Sequence, residues 1–254
     1  MSTSHDQSNS ASRLLSILSS AVKLGKGGEP ICEAWAKVFE IQNDDRKLRN
    51  VYTKLAHLGT LVDDLVEEVS ENIPKDRQPL YLRHIADIRK GITPVHLQQA
   101  WEDSKQFFNA TVLTSLEFCA DALPKEPIVT PDELTQIQTS LSELITEIES
   151  SDIDSQLKKW LLTLVAEARY SIDLYRIQGV RAFRRALRDC YGNLILFQQA
   201  FPTLAISAKK GTQLGDRLMA FLVGLNAIAA KAKEFQPLLE TGKTVFGFLI
   251  DCAT

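Results

Sequence analysis

The sequence has few of the residues that interrupt regular structure. Its 254 residues include 12 glycines and 9 prolines, both below the usual shares of about 7% and 5%. Tight turns are therefore scarce, and no segment shows the sustained polar–apolar alternation that a half-buried strand requires. These absences weigh against a many-stranded sandwich. Since 44% of the residues are hydrophobic and can form a core, we predict an all-α protein.

The motifs that mark catalytic, cofactor or metal sites are also missing. There is no GxSxG elbow, no GxGxxG or GxxxxGK[ST] phosphate loop, and no HExxH or CxxC pattern. The four histidines lack the spacing of metal ligands. We therefore expect no catalytic, cofactor or metal site and no small-molecule substrate, and we predict a non-enzymatic protein.

Neither the overall charge nor a targeting segment points to nucleic acid or to a membrane span. The formal net charge is −3 and the pI is about 5.9, so no global attraction to polyanions is expected. The polar first residues lack the basic region of a signal peptide. The longest nearly uncharged apolar run, Leu218–Ala230, is shorter than the roughly 18 residues that span a bilayer. We predict a cytoplasmic protein, at most peripheral to a membrane, with no nucleic-acid partner.

The cysteines indicate a reducing compartment. Cys32, Cys119, Cys190 and Cys252 lie far apart, each among apolar neighbours. Free cysteines in such surroundings behave as small buried hydrophobes, and the cytosol keeps them reduced. Four buried thiols are the leading interpretation, and two long-range disulfides are the alternative.

Helical periodicity and proline positions predict the organisation of the chain. We predict a multi-helix bundle of about eight to ten helices, either one bundle or two packed sub-bundles. Three prolines between Leu123 and Pro131 mark a linker. The predicted segments are a disordered tail at residues 1–10, a helical bundle at 11–123, a proline-rich linker at 124–131 and a second bundle at 132–254. The last segment ends in two apolar helices, Leu214–Ala230 and Leu238–Ile250, of the kind buried in protein or lipid.

The first predicted helix, Ala11–Leu24, is amphipathic and precedes the glycine-rich segment Gly25–Gly28. Glycine leaves helical geometry easily, so we expect the most mobile joint of the chain here. A helix of this kind either docks on the bundle or lies in a membrane interface. The residues predicted for membrane contact in the second case are Leu14, Leu15, Ile17, Leu18 and Val22.

Two charged stripes are the candidate partner-binding surfaces. Four arginines recur at the i, i+3, i+4, i+7 spacing of one helix face: Arg181, Arg184, Arg185 and Arg188. Five acids lie opposite the apolar face of an earlier helix: Asp63, Asp64, Glu67, Glu68 and Glu71. Arginine forks suit phosphates and carboxylates, whereas a solvated face that binds nothing is the alternative for either stripe.

Two arginine–histidine pairs, Arg77 with His84 and Arg89 with His96, have six residues between their members. This spacing resembles the R-x4-6-H pattern of the all-helical HEPN ribonucleases, and the resemblance implies acid–base cleavage of RNA. However, proline lies inside each pair, which opposes presentation of both side chains from a single helix. A HEPN-like ribonuclease is therefore the most remote hypothesis.

The leading functional hypothesis is a helical interaction protein. It would bind a protein partner, or a second copy of itself, through the charged helix faces. The alternative is a soluble helical effector that becomes membrane-active through its N-terminal amphipathic helix and its apolar C-terminal helices. In layout this alternative is similar to helical cell-death effectors that release one bundle helix into lipid.

Overall fold

The computed structural model describes residues 9–126, 129–153, 155–200 and 212–229. These residues form helices joined by turns and contain no strand, apart from an isolated β-bridge between Pro30 and Ala100. The predicted all-α class is confirmed. The chain divides into two compact units, the first made of Met1–Glu126 and Arg176–Gly179 and the second of Pro127–Tyr175 and Val180–Thr254.

The helices are numbered in chain order. Those of the first unit are α1 (Ser10–Leu24), α2 (Ile31–Val38), α3 (Lys47–Asn72), α4 (Gln78–Leu82), α5 (Ile85–Gly91), α6 (Trp101–Lys105) and α7 (Ala110–Ala122), with 3₁₀ turns at Pro94–His96 and Gln106–Phe108. Those that follow are α8 (Pro131–Ser150), α9 (Ser155–Gln178), α10 (Val180–Ala200) and α11 (Thr212–Ala229). The last three residues of α9 belong to the first unit.

Helix α1 lies in the core of the first unit, where it packs against α2, α3 and α7. The residues predicted for membrane contact in the alternative hypothesis are core residues in this structure. Leu14, Leu15, Ile17 and Leu18 are at most 2% exposed, and Val22 is half-buried. Since three helices cover this face, contact with lipid would require the whole helix to leave the core.

The start of α1 lies inside the segment predicted as a disordered tail. Asn9 caps the helix by accepting from the Ser12 backbone N–H at 2.9 Å. Its amide Nδ2 donates to the carbonyl of Ala120 at 2.9 Å, so one side chain joins α1 to the end of α7. Asn9 and Ser10 are fully buried. The tail prediction is wrong for these two residues, because capping and a tertiary hydrogen bond anchor them.

The glycine-rich segment after α1, where the sequence predicts the most mobile joint, is packed against α6. A Cβ added to Gly25 would lie 2.3 Å from Nε1 of Trp101, so only glycine fits beneath that indole. Gly28 has a φ of +74°, which glycine adopts without strain. Its N–H donates to the Glu102 carboxylate at 3.0 Å. The segment is thus held at both of these glycines.

Arg13 of α1 forms an ion pair with Glu126 in which the arginine is buried and the carboxylate is partly exposed. Arg13 is only 2% exposed, and its two terminal nitrogens donate to the Glu126 carboxylate at 2.8 and 3.3 Å. A Cβ on Gly179, whose φ is +60°, would approach the Arg13 guanidinium to 2.5 Å. Gly179 separates the end of α9 at Gln178 from the start of α10 at Val180. Glycine is required there by both its conformation and its packing.

The four residues Arg176–Gly179 contact the first unit at further points. Arg176 Nη1 donates to the carbonyl of Val38 at 3.0 Å. The Gln178 amide Nε2 lies 3.0 Å from Nδ1 of His57. These hydrogen bonds explain why so short a segment belongs to the first unit although its neighbours in sequence do not.

The second unit has an apolar core of its own, to which α8, α9, α10 and α11 all contribute. Its most buried members include Leu144, Ile148, Leu164, Val165, Phe183, Leu187, Phe221 and Leu225. Helix α8 begins at Pro131, at the end of the predicted linker, because Thr130 and Glu133 form a reciprocal capping box there.

Cys32 and Cys119 are free and buried, as the leading interpretation predicts. Burial raises the pKa of the Cys119 thiol to about 11. The side chains of Cys190 and Cys252 lie outside the described residues, as do the helix predicted at Leu238–Ile250 and the first eight residues of the predicted tail.

Candidate binding surfaces

The predicted arginine stripe lies on the accessible side of α10. Arg185 and Arg188 are 58% and 66% exposed, and Arg181 and Arg184 are partly exposed. Four residues on the opposite side of the helix are buried: Ala182, Phe183, Ala186 and Leu187. Phe183 and Leu187 belong to the core of the second unit. Because the apolar residues alternate with the arginines at helical spacing, burying one side leaves the other facing solvent.

One carboxylate lies between the two most exposed arginines. Asp189 is 3.9 Å from Nε of Arg185 and 3.6 Å from Nε of Arg188. Exposed pairs of this kind contribute about 0–1 kcal/mol to stability. Since two guanidinium groups share a single carboxylate, this part of the surface keeps a positive charge.

An aromatic ring of α9 lies near the arginine stripe. Tyr170 is 42% exposed. Partial burial raises the pKa of its hydroxyl, and the nearby Arg185 opposes this shift. Further along the same pair of helices, Asn193 of α10 donates to Glu167 of α9 at 2.8 Å. The packing of α9 against α10 thus brings tyrosine and arginine, two residue types enriched at protein interfaces, onto one surface.

The acidic stripe of α3 is only partly a surface. Asp63, Glu67 and Glu71 are exposed and Asp64 is half-buried, and Arg89 donates to Asp63 at 2.6 Å. The prediction that Glu68 belongs to the exposed stripe is wrong. Glu68 is 8% exposed and accepts a hydrogen bond from the Ser10 hydroxyl at 2.5 Å. It lies on the flank of α3 that meets α1, so it takes part in helix packing and is not part of the exposed stripe.

The two arginine–histidine pairs are distributed over separate short elements. Arg77 precedes α4, His84 separates α4 from α5, and His96 ends a 3₁₀ turn. Arg89 forms an ion pair with Asp63, and a carboxylate oxygen of Asp87 lies 3.6 Å from Nδ1 of His84. Neither pair lies on a single helix.

Sequence patterns did not reveal two surface features of the second unit. One is Tyr170, whose proximity to Arg185 depends on how α9 packs against α10. The other is a groove of about 150 Å³ between α8 and α9, lined in part by Leu141, Ile145, Ile172 and Arg169. Both depend on contacts between helices, which periodicity within one helix cannot predict.

Within the described parts of the chain, no three His, Cys, Asp or Glu side chains are grouped so that they could hold a metal ion. No described helix combines the length and apolar character needed to cross a membrane. In comparisons with known proteins, no family model, curated protein or solved structure matches this chain.

Proposed function

We propose that this chain is a non-enzymatic interaction protein that binds an acidic protein surface through the arginines of α10. The observation that carries the proposal is the exposure of Arg185 and Arg188, 58% and 66%, on a helix whose other side is buried. A rigid helix fixes the spacing of the two guanidinium groups. Each can donate a bidentate pair of hydrogen bonds to a carboxylate.

Tyr170 supports a protein partner in particular. Interfaces between proteins are enriched in tyrosine and arginine, and these residues often contribute most of the binding energy. Here an exposed tyrosine of α9 lies near Arg185 of α10. An acidic segment crossing both helices would contact charge and apolar ring surface together.

Charge reversal of the two exposed arginines tests the proposal. The probe is a fluorescent glutamate-rich peptide, and binding is followed by anisotropy at low and high salt. We expect Arg185→Glu with Arg188→Glu to weaken binding by about tenfold or more. Lysine at both positions should give an intermediate affinity, because it keeps the charge but loses the planar fork.

The matched control reverses two exposed arginines elsewhere, Arg77→Glu with Arg83→Glu, and gives the same change in net charge. The proposal requires this control to bind the peptide almost as tightly as the unchanged protein. If both double variants lose the same amount of binding affinity, the loss is caused by the change in net charge and not by the arginines of α10. Binding to phosphatidylserine vesicles or to RNA, without binding to the peptide, would assign the stripe to another polyanion and contradict an acidic protein partner.

A further inference from the structure

Helix α3 presents one continuous outward face along its 26 residues. Its first two turns expose apolar surface, with Leu48 47% and Tyr52 55% exposed. The middle of the face carries small residues, Ala56 and Thr60 exposed and Gly59 partly so. Its last turns carry the exposed acids Asp63, Glu67 and Glu71. These positions recur every three or four residues, so they lie on the same side of the helix.

The charges of α3 run against the dipole of the helix. Arg46, Lys47 and Arg49 lie at its N-terminal end, and the first turn itself contains no acid. The exposed acids Asp44 and Asp45 come just before the helix, and Asp44 accepts a hydrogen bond from the Arg46 backbone N–H at 2.9 Å. The acids of α3 lie at its C-terminal end, where the last turn contains no basic residue. A helix alone is stabilised by the opposite arrangement, acids first and bases last. A second helix packed antiparallel would place each charged end beside its opposite.

The charged groups at both ends are accessible to a partner. Arg46, Arg49, Glu67 and Glu71 are exposed, and the structure shows no ion pair between them and any residue it describes. Lys47 and Asp63 differ, because they pair with Glu33 and Arg89. Arg46, Arg49, Glu67 and Glu71 are therefore the residues that a partner helix can pair with.

Gly59 lies midway between these two charged ends. A Cβ added there would meet nothing within 4 Å, so the packing of the first unit does not require glycine at this position. A small residue at the crossing point lets two helices approach closely. At a rise of 1.5 Å per residue, Arg49 lies about 15 Å from Gly59 along the axis, and Glu67 and Glu71 lie about 12 and 18 Å away on the other side.

We propose that α3 is the interface of a two-fold symmetric homodimer, in which it packs antiparallel against α3 of a second copy. A symmetry axis near Gly59 places Arg49 of one copy between Glu67 and Glu71 of the other, and the reverse. Leu48 and Tyr52 supply apolar contact on the same face. The same patch serves both copies, as a closed two-fold assembly requires. This interface does not involve the arginines of α10.

Sedimentation velocity on the full-length protein, across about a hundredfold range of concentration at low salt, measures the assembly. A single helix pair is a small interface, so we expect a concentration-dependent monomer–dimer equilibrium that high salt shifts toward monomer. Arg46→Glu with Arg49→Glu should abolish the dimer, because both ends of α3 then carry negative charge. Glu67→Arg with Glu71→Arg should abolish it equally, with both ends positive.

Mixing these two variants provides the decisive result. Each alone repels its own copy, but together they restore opposite charges at both ends, so we expect the mixture to form a heterodimer. A single chain carrying all four substitutions should form a homodimer again. The matched control, Arg185→Glu with Arg188→Glu on α10, should dimerise like the unchanged protein, and circular dichroism checks that every variant stays helical.

The proposal is overturned if the unchanged protein is monomeric throughout, or if its oligomer tolerates both pairs of α3 substitutions. It is also overturned if the mixture of the two variants stays monomeric, or if the α10 control loses the dimer. None of these outcomes affects binding of the acidic peptide by α10, so the two proposals fail separately.

Discussion

Helices α1 and α10 each carry arginine on the polar side of an amphipathic sequence, yet their arginines meet different surroundings. In α1, Arg13 is 2% exposed and binds Glu126 through two hydrogen bonds. In α10, Arg185 and Arg188 are more than half exposed and share Asp189. A desolvated charge must be compensated inside the protein, whereas an exposed one keeps its water. The comparison separates an arginine that supports the fold from arginines that are available to a partner.

Of the substitutions that test this comparison, removal of the Glu126 carboxylate should have the largest effect on stability. Glu126→Ala leaves the Arg13 guanidinium buried without its carboxylate, and we expect a loss of about 3 kcal/mol in the free energy of unfolding. The control is Asp63→Ala, which breaks the exposed pair with Arg89 and should cost less than about 1 kcal/mol. Urea denaturation measures both. Similar costs for the two variants would contradict the contrast between buried and exposed pairs.

A second test concerns the buried thiol of Cys119. Its pKa in the folded protein is raised from 9.0 to about 11 by burial. Folding therefore favours the protonated thiol, and this contribution is complete below pH 9 and is lost as the pH rises through 11. We expect it to remove about 2 to 3 kcal/mol of stability over that range. Urea denaturation at several pH values measures this loss, and Cys119→Ala should lose less stability between pH 9 and pH 11 than the unchanged protein. If stability falls equally steeply with pH in both proteins, the thiol ionises as freely in the folded chain as in the unfolded chain.

Features encoded by local sequence were predictable. The start of α8 follows from Thr130, Pro131 and Glu133, which satisfy the first backbone groups of the helix whatever packs around it. The break at Gly179 follows from a conformation that glycine adopts readily. The accessible side of α10 follows from its own periodicity. Each depends on residues within a few positions of one another.

Features that depend on contacts between distant helices were not predictable. The polar side of α1 predicts solvent exposure for Arg13, but this side chain pairs with Glu126, more than a hundred residues away in sequence. The sequence places Glu68 among the exposed acids of α3, whereas the structure shows it accepting a hydrogen bond from Ser10 of α1. For the candidate surface, the stripe spacing predicts Arg185, whereas nothing in that spacing indicates the nearby Tyr170. Burial of a polar group depends on which helices meet.

Glycine substitution extends the comparison to backbone packing. Gly25→Ala at the end of α1 would force a methyl group into the Trp101 indole, and we expect a cost of about 2 kcal/mol. Gly192→Ala in α10 is the control, because a Cβ there meets nothing within 4 Å. Alanine favours the helix, so this variant should gain up to about 1 kcal/mol. Thermal unfolding tests whether Gly25→Ala is destabilised and Gly192→Ala is stabilised. A stabilised Gly25→Ala variant would show that the segment after α1 moves to accommodate the added methyl group.

The smallest expected effect concerns the stability contributed by the arginines of α10. Arg185→Ala and Arg188→Ala should each change the free energy of unfolding by no more than about 0.5 kcal/mol, because each loses one exposed ion pair and leaves Asp189 paired with the other arginine. Urea denaturation beside the peptide-binding measurement tests this directly. If a substitution weakens peptide binding but leaves the free energy of unfolding unchanged, the arginine contributes to binding a partner and not to the stability of the fold. A loss above about 1.5 kcal/mol would instead make these arginines structural like Arg13, and the proposed function would lose the observation on which it depends.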